Sequence, residues 1–329
     1  MLSEKKLSKF KVLFVGDNHC ASKQPPGRLD NYCETSAKEF LECLQIGRDI
    51  KVDAVVFLGD IFDKTVVQPT IVSKLLHALR NDETGKPWPF KSYAVIGNHD
   101  IGHNMSNLPM SSLNTLFSSG LLEYCESIDH LGIYLGHFYP KLDADIRDGK
   151  LQNVNYPILA LHASLMTVPA RDFEGVIFKD TSFHPATKLV ISGHIHSPMQ
   201  QKRNDGVQFI NPGSVGRYAM QPEVICRDIN VVSVVYDLEG TIYDIEYHKL
   251  ESSLPAEMIF NFSAKESKKK EIKSNSAYIR KLSEIDMKKF NLINDPIQLI
   301  KEYGKENSIE EEVIALSVER MRDTIYSQE

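Results

Sequence analysis

Short, largely apolar runs recur along most of this chain, and each stops at a glycine or a polar side chain. Residues 10–15, 53–58, 93–96, 158–161, 189–191 and 207–210 are runs of this kind, and their length and bounding residues predict buried β-strands. Between the first three, the apolar spacing changes to a helical period. Ser36 with Glu39 makes a capping box for a helix carrying Phe40, Leu41 and Leu44 as far as Ile46. A second helix over 70–79 has Ile71, Leu75, Leu76 and Leu79 as its inner face. Residues 231–236 and 241–247 flank Asp237-Leu238-Glu239-Gly240 and read as a hairpin. Strands alternating with helices, followed by a strand-rich half, predict an α/β (α+β) fold: a two-layer β-sandwich flanked by helices, closing near Pro255.

The pattern divides the chain into a domain over 1–254 and a small C-terminal helical appendage over 255–329. Residues 265–289 are basic and poor in large apolar side chains. Asp295-Pro296 then starts a short helix with Ile297 and Ile300 inward and Gly304 as its end. Ser308 and Glu311 cap a second helix, whose stripe is Ile314, Val318, Met321 and Ile325.

Composition narrows the class. At 329 residues the chain exceeds one typical domain, and 42% hydrophobic with 25% charged residues is ordinary for a globular protein. No apolar stretch approaches a bilayer span, so no membrane partner is expected. The first residues carry charge and lead into a strand, unlike a secretory signal. The five cysteines are scattered and never form a C-x-x-C pair. Reduced thiols in a cytoplasm follow, rather than a disulfide framework or a thiolate metal site. A net charge of −6 gives no global attraction to nucleic acid. A polyanion would have to be met by metal ions or by a local basic patch such as 265–289, which reads equally as a solvated linker.

The candidate chemistry lies where the apolar runs stop. The blocks are Gly16-Asp17-Asn18-His19, Gly59-Asp60-Ile61-Phe62-Asp63, Gly97-Asn98-His99-Asp100, Leu161-His162-Ala163 and Gly193-His194-Ile195-His196. A single Gly-Asp after a strand is usually just a turn, and a lone histidine is usually structural. Five such blocks in this order, each at a strand end, point to a metal site. Carboxylate, amide and imidazole donors suit Mn²⁺, Fe²⁺ or Zn²⁺ rather than Ca²⁺. Donors in this number can hold two ions at roughly 3.5–4 Å, the clamp used for in-line attack on phosphorus. The glycines of the turn over 211–216 allow a backbone to approach an anion closely.

These five blocks, over about residues 10–250, resemble those of the calcineurin-like metallophosphoesterases. The resemblance implies two divalent ions, Mn²⁺ foremost with Fe²⁺ or Zn²⁺ as alternatives. Asp17, His19 and His196 would hold one and Asn98, His162 and His194 the other, with Asp60 bridging. It implies His99 as the general acid that protonates the leaving oxygen. Asp100 would orient His99 or serve as a plain turn carboxylate. Asp63 is a helix-start carboxylate or faces substrate, and Arg217 either contacts phosphate or has no role. His77, His103, His130, His137, His184 and His248 read as structural or surface residues.

Within that family the block at Gly59–Asp63 and the helices over 295–303 and 309–321 resemble the SbcD-type nucleases of DNA double-strand-break repair and their phage relatives. The implied function is two-metal hydrolysis of DNA phosphodiesters in the cytoplasm of a bacterium or of a phage-infected host. The implied partners are DNA, an SbcC-like coiled-coil ATPase docked on the C-terminal helices, and, as a further option, a second copy in a homodimer. The turn over 211–216 resembles that of small bacterial phosphodiesterases instead. A stand-alone phosphodiesterase or phosphatase acting on a nucleotide or phosphoprotein therefore stays open, as does a non-catalytic scaffold on the same fold.

Overall fold

From Val12 onward, every residue of strand β1 (Lys9–Val15) is buried, as a strand covered on both faces must be. The computed structural model describes residues 8–170, 174–218, 227–261, 297, 300–301, 304–305 and 309–326. In it β1 pairs in parallel with β2 (Ala54–Phe57), which pairs in parallel with β3 (Lys91–Ala94). A second sheet runs from β4 (Ser127–Ile128) through β5 (Ile133–Gly136), β6 (Ile158–His162) and β9 (Leu189–Gly193) to β10 (Met199–Lys202), in the order β10-β11-β9-β6-β5-β4, with β11 being Gln208–Asn211. Strands β7 (Leu165–Met166) and β8 (Val176–Ile177) form a separate pair. The hairpin of β12 (Asn230–Asp237) and β13 (Ile242–Lys249) joins the first sheet antiparallel to β1, giving the order β13-β12-β1-β2-β3.

The alternation of β1 explains the layering. Val12 and Phe14 face the second sheet, in one apolar cluster with Val56, Val95, Ile133, Ile158, Ala160, Leu189 and Ile191. Leu13 and Val15 face the other way, onto Phe40 and Leu44 of α1 (Tyr32–Asp49) and Ile71 and Leu75 of α2 (Pro69–Arg80). There Phe40 stacks on Phe57 with ring centroids 4.7 Å apart. Each such side chain contributes about 1.5–3 kcal/mol by leaving water. The fold is the two-layer sandwich with flanking helices that the pattern predicts.

Local differences have local causes. Helix α1 starts at Tyr32 behind the N-cap Asn31, so Ser36 and Glu39 are not its capping box. Ser36 instead turns its hydroxyl to the Cys33 carbonyl one turn back, and Glu39 points into the interior. Helix α2 starts where Pro69 fits, at the first helical position. Strand β3 runs two residues earlier than its apolar run, because Val95 and Ile96 already belong to the turn leading to Gly97. Strand β5 has glycine at both ends and β10 reads Met-Gln-Gln-Lys on a sheet edge, so neither carries an apolar-run signal.

The chain divides into two compact units, Met1–Phe260 and Asn261–Glu329. In the second, helix Glu311–Tyr326 has Val318 buried and Ile314 partly so. Gly304 and Lys305 both have helical backbone, so Gly304 is not a helix end. The basic segment 265–289, the Asp295-Pro296 start, the Ser308 cap and the side chains of Met321 and Ile325 lie outside the described residues. Among the described residues no helix is long and apolar enough to cross a membrane.

Candidate metal centre

Parallel strands bring their carboxyl ends to one edge of a sheet, and β1, β2 and β3 thus deliver Asp17, Asp60 and Asn98 together. Parallel β6 and β9 deliver His162, His194 and His196 from the other sheet. Two glycines permit the approach. Gly59 has φ 100°, and a Cβ there would lie 2.3 Å from His162 Nδ1. A Cβ on Gly97 would lie 2.1 Å from Asp60 Oδ1. His19, Asp60 and His194 are themselves in the left-handed region, with φ of 47°, 48° and 75°. Side chains rarely adopt that conformation, and its concentration here marks a site that holds strain.

Three groups of donor atoms result, each with all its atoms within 4.8 Å of one another: Asp17, His19 and His196; His19, Asp60 and His99; and Asp60, His162 and His194. The Nε2 atoms of His19 and His196 are 2.9 Å apart, and Asp17 Oδ2 lies 3.8 Å and 3.6 Å from them. Asp60 Oδ2 lies 3.9 Å from His19 Nε2 and 3.4 Å from His162 Nε2. Asn98 Oδ1 is 2.9 Å from both His162 Nε2 and His194 Nδ1. Ligands bonded at about 2.0–2.2 Å to one cation are separated by about 3–3.5 Å. The residues therefore fit divalent cations in spacing as well as in donor type.

The surroundings aim these donors. His162 Nδ1 donates to the Leu58 carbonyl at 2.8 Å, which turns Nε2 toward Asn98 and Asp60. Both oxygens of Asp17 accept from His194 N, at 3.0 and 3.1 Å. Burial pushes the Asp17 carboxyl up. Burial also opposes ionisation of Asp60, yet the imidazoles of His162, His19 and His99 hold its carboxyl well below the usual range. Burial lowers His19, and burial with the neighbouring His162 takes His194 down to about 3. His162 goes the other way. Burial disfavours its imidazolium, but Asp60 and Asp17 raise it to about 10. Metals coordinate ionised carboxylate and neutral imidazole, the forms already favoured at Asp60, His19 and His194.

His99 is exposed at the edge of this cluster. Its backbone N–H donates to Asp60 Oδ1 at 2.8 Å, and its ring Nδ1 donates to the Asp63 carbonyl at 2.9 Å. Asp100 does not orient that ring. Its fully buried carboxylate accepts from the backbone N–H groups of Phe62 and Gly97, at 3.0 Å each, and so ties two of the blocks together. Burial, with Asp60 close by, raises its carboxyl to about 7. Asp63 is buried beside Tyr218, whose hydroxyl lies 3.5 Å from Oδ2. Arg217 is buried rather than turned to a ligand, and its guanidinium donates to the Arg227 carbonyl. His137 accepts from Ile96 N and donates to the Cys125 carbonyl, a structural role.

Tyr32 escapes the sequence reading because its partner is backbone. Wholly buried, it donates its hydroxyl toward the carbonyls of His19, at 3.2 Å, and Asn18, at 3.4 Å, and so braces the strained turn. Tyr32→Phe is expected to weaken Mn²⁺ binding about 10-fold, within the range for losing an outer hydrogen bond to a ligand. Titration calorimetry against Tyr236→Phe checks this, because Tyr236 is as deeply buried but bonds the Leu131 carbonyl. Equal effects of the two substitutions would remove the bracing role.

The profile of a family described as calcineurin-like phosphoesterase matches residues 10–198, more than half of the chain. The chain is 26% identical over 205 residues to the DNA double-strand break repair protein Mre11 of Methanococcus maripaludis. That alignment takes in 58% of this chain and 53% of the relative, so the chain spans about half the length of the curated protein it matches. Among solved structures, a dimetal phosphatase from Danio rerio aligns with a TM-score of 0.44 and 14% identity, over 73% of this chain and 98% of that one. Yfce, a phosphoesterase from E. coli, aligns with a TM-score of 0.33 and 14% identity, over 72% and 98%.

Proposed function

The chain belongs to the calcineurin-like phosphoesterase family, and from that premise we propose that it hydrolyses DNA phosphodiester bonds with two divalent cations, Mn²⁺ foremost. The observation that carries the reading is the meeting of Asp17, His19, Asp60, Asn98, His162, His194 and His196 at the joined edge of two sheets, with His99 exposed beside them. Asp17, His19 and His196 would hold one cation, Asn98, His162 and His194 the other, and Asp60 both. When bound, the cations supply charge neutralisation at phosphorus and a more acidic water.

The chain's own residues supply the rest. Asp60 Oδ1 fixes the His99 backbone, and the Asp63 carbonyl holds the ring by Nδ1. Nε2 is then the atom that gives a proton to the leaving oxygen. DNA is favoured as substrate by the match to Mre11, named as a DNA double-strand break repair protein, and by the Gly59–Asp63 block. We extend the proposal to an SbcC-like coiled-coil ATPase as partner, met by helix Glu311–Tyr326, and to work in a cytoplasm.

Purified protein is expected to degrade labelled DNA in Mn²⁺. His99→Gln should slow it by about 10²–10⁴, the usual share of a general acid, with metal content unchanged by elemental analysis. Intact DNA beside rapid turnover of a small chromogenic diester would replace the nuclease reading with a stand-alone phosphodiesterase. Absence of bound metal in the loaded parent would end both.

A further inference from the structure

Seven rings form an arc around the candidate metal centre. Starting from His196, the centroid spacings run 4.8 Å to His19, 4.9 Å on to His99, 6.4 Å to His103, 5.8 Å to Phe138, 6.5 Å to His194 and 5.0 Å to His162. Five of these side chains are accounted for as metal donors or as the acid. His103 and Phe138 are not. They occupy adjacent places in the arc, between His99 and His194.

Backbone hydrogen bonds fix both, and Phe138 also packs partly against the core while His103 stays exposed. Phe138 follows the end of β5, and its N–H donates to the Ile96 carbonyl at 2.9 Å, just ahead of Gly97 and Asn98. Its ring lies nearly parallel to that of His194, at 27°, and remains partly exposed. His103 is exposed and has φ 62°, a left-handed conformation shared with His19, Asp60 and His194 at the site. Gly102 before it is also left-handed, and the His103 N–H donates to the Asn98 carbonyl at 2.9 Å. This turn brings the imidazole of His103 alongside His99 and edge-on to Phe138, at 80°. An exposed imidazole held in a costly backbone conformation, with a half-exposed phenyl ring beside it, calls for a ligand.

We propose that His103 and Phe138 form a stacking subsite for the nucleobase that flanks the scissile phosphate. The exposed ring of His103, met at 80° by Phe138, can take a flat group against it. A base on that shelf sits one ring away from His99, so the phosphate it carries lies at the metal donors. Every base has a π-face, so the shelf accepts any base and rejects a sugar-phosphate without one. It would therefore favour bases that are unpaired or easily unstacked. The inference rests on the phosphodiesterase reading above and names what that site recognises besides phosphate.

The test compares the p-nitrophenyl ester of thymidine 5′-phosphate with methyl p-nitrophenyl phosphate, and a base-bearing single strand with the same strand made abasic. The parent is expected to prefer the base-bearing member of each pair. In His103→Asn, which lacks the ring but tolerates left-handed backbone, the kcat/KM ratio within each pair should fall about 10-fold, in the range of one lost stacking contact. His103→Phe should restore it. Phe138→Leu, with the metal content of each variant measured, should lower the same ratio. A ratio unchanged in His103→Asn, or unrestored by His103→Phe, overturns the stacking subsite while leaving DNA hydrolysis standing. A parent that leaves DNA intact yet prefers the thymidine ester overturns the nuclease reading and keeps the subsite.

Discussion

Asp60→Asn will lower phosphodiester hydrolysis by on the order of 10³ or more while the protein stays folded. Asp60 Oδ2 stands between the two donor sets, 3.9 Å from His19 Nε2 and 3.4 Å from His162 Nε2. It is also the carboxylate that the surrounding imidazoles hold most firmly ionised. An amide keeps the shape and can still accept from His99 N, but it cannot supply negative charge to two cations. Losing one of a metal pair removes several kcal/mol of transition-state stabilisation, and each ~1.4 kcal/mol is a factor of ten. Turnover of a chromogenic diester, read beside bound-metal stoichiometry, checks it. A variant as fast as the parent with two ions bound would take Asp60 out of the bridging position.

Glu39→Gln will become progressively more stable than the parent as pH rises. Glu39 lies on the inner side of α1 and is 2% exposed. Burial raises its carboxyl to about 8 even though Arg28 and Arg217 pull the other way. The unfolded chain releases this proton near 4.5, whereas the folded chain keeps it to about 8. Between those values the native state binds the extra proton, so stability falls with pH. The contribution is complete below about pH 4.5 and is lost by the time pH has passed the folded value. The whole loss is on the order of 5 kcal/mol. Glutamine stays neutral throughout and is spared it. Melting curves from pH 5 to 9 should nearly coincide at the acid end and separate toward the alkaline end. A constant offset would show that Glu39 does not titrate in that window.

The site blocks are readable from sequence because chemistry and burial meet at the same residues. A parallel strand must be apolar throughout, so the first carboxylate, amide or imidazole after it stands out, as at Asp17, Asp60, Asn98 and His194. His162 is legible for the same reason, although it still belongs to β6. What depends on register between distant segments is not legible. Phe138 reaches the site because the segment after β5 bonds the segment after β3, and β5 is short and framed by glycines. Tyr32 acts on carbonyl groups, which leave no mark in a sequence. Asp100 follows His99 directly, and adjacency suggests a partnership. The helical turn starting at Asn98 sends the Asp100 carboxylate inward instead, to the backbone of Phe62 and Gly97. The start of α1 is misread because Ser36 and Glu39 have the spacing of a cap, while Asn31 provides one a turn earlier.

Asp17, Asp60 and Asn98 hang from one sheet and His162, His194 and His196 from the other, and this division has a mechanical outcome. Apolar packing between the layers is non-directional and tolerates small sliding, whereas a cation gripped from both sides does not. Cations seated there would act as rivets through the seam, adding about 4 kcal/mol to the folded state at a thousandfold excess over their dissociation constant. A protein stripped of them would have its weakest plane running straight through its reactive centre.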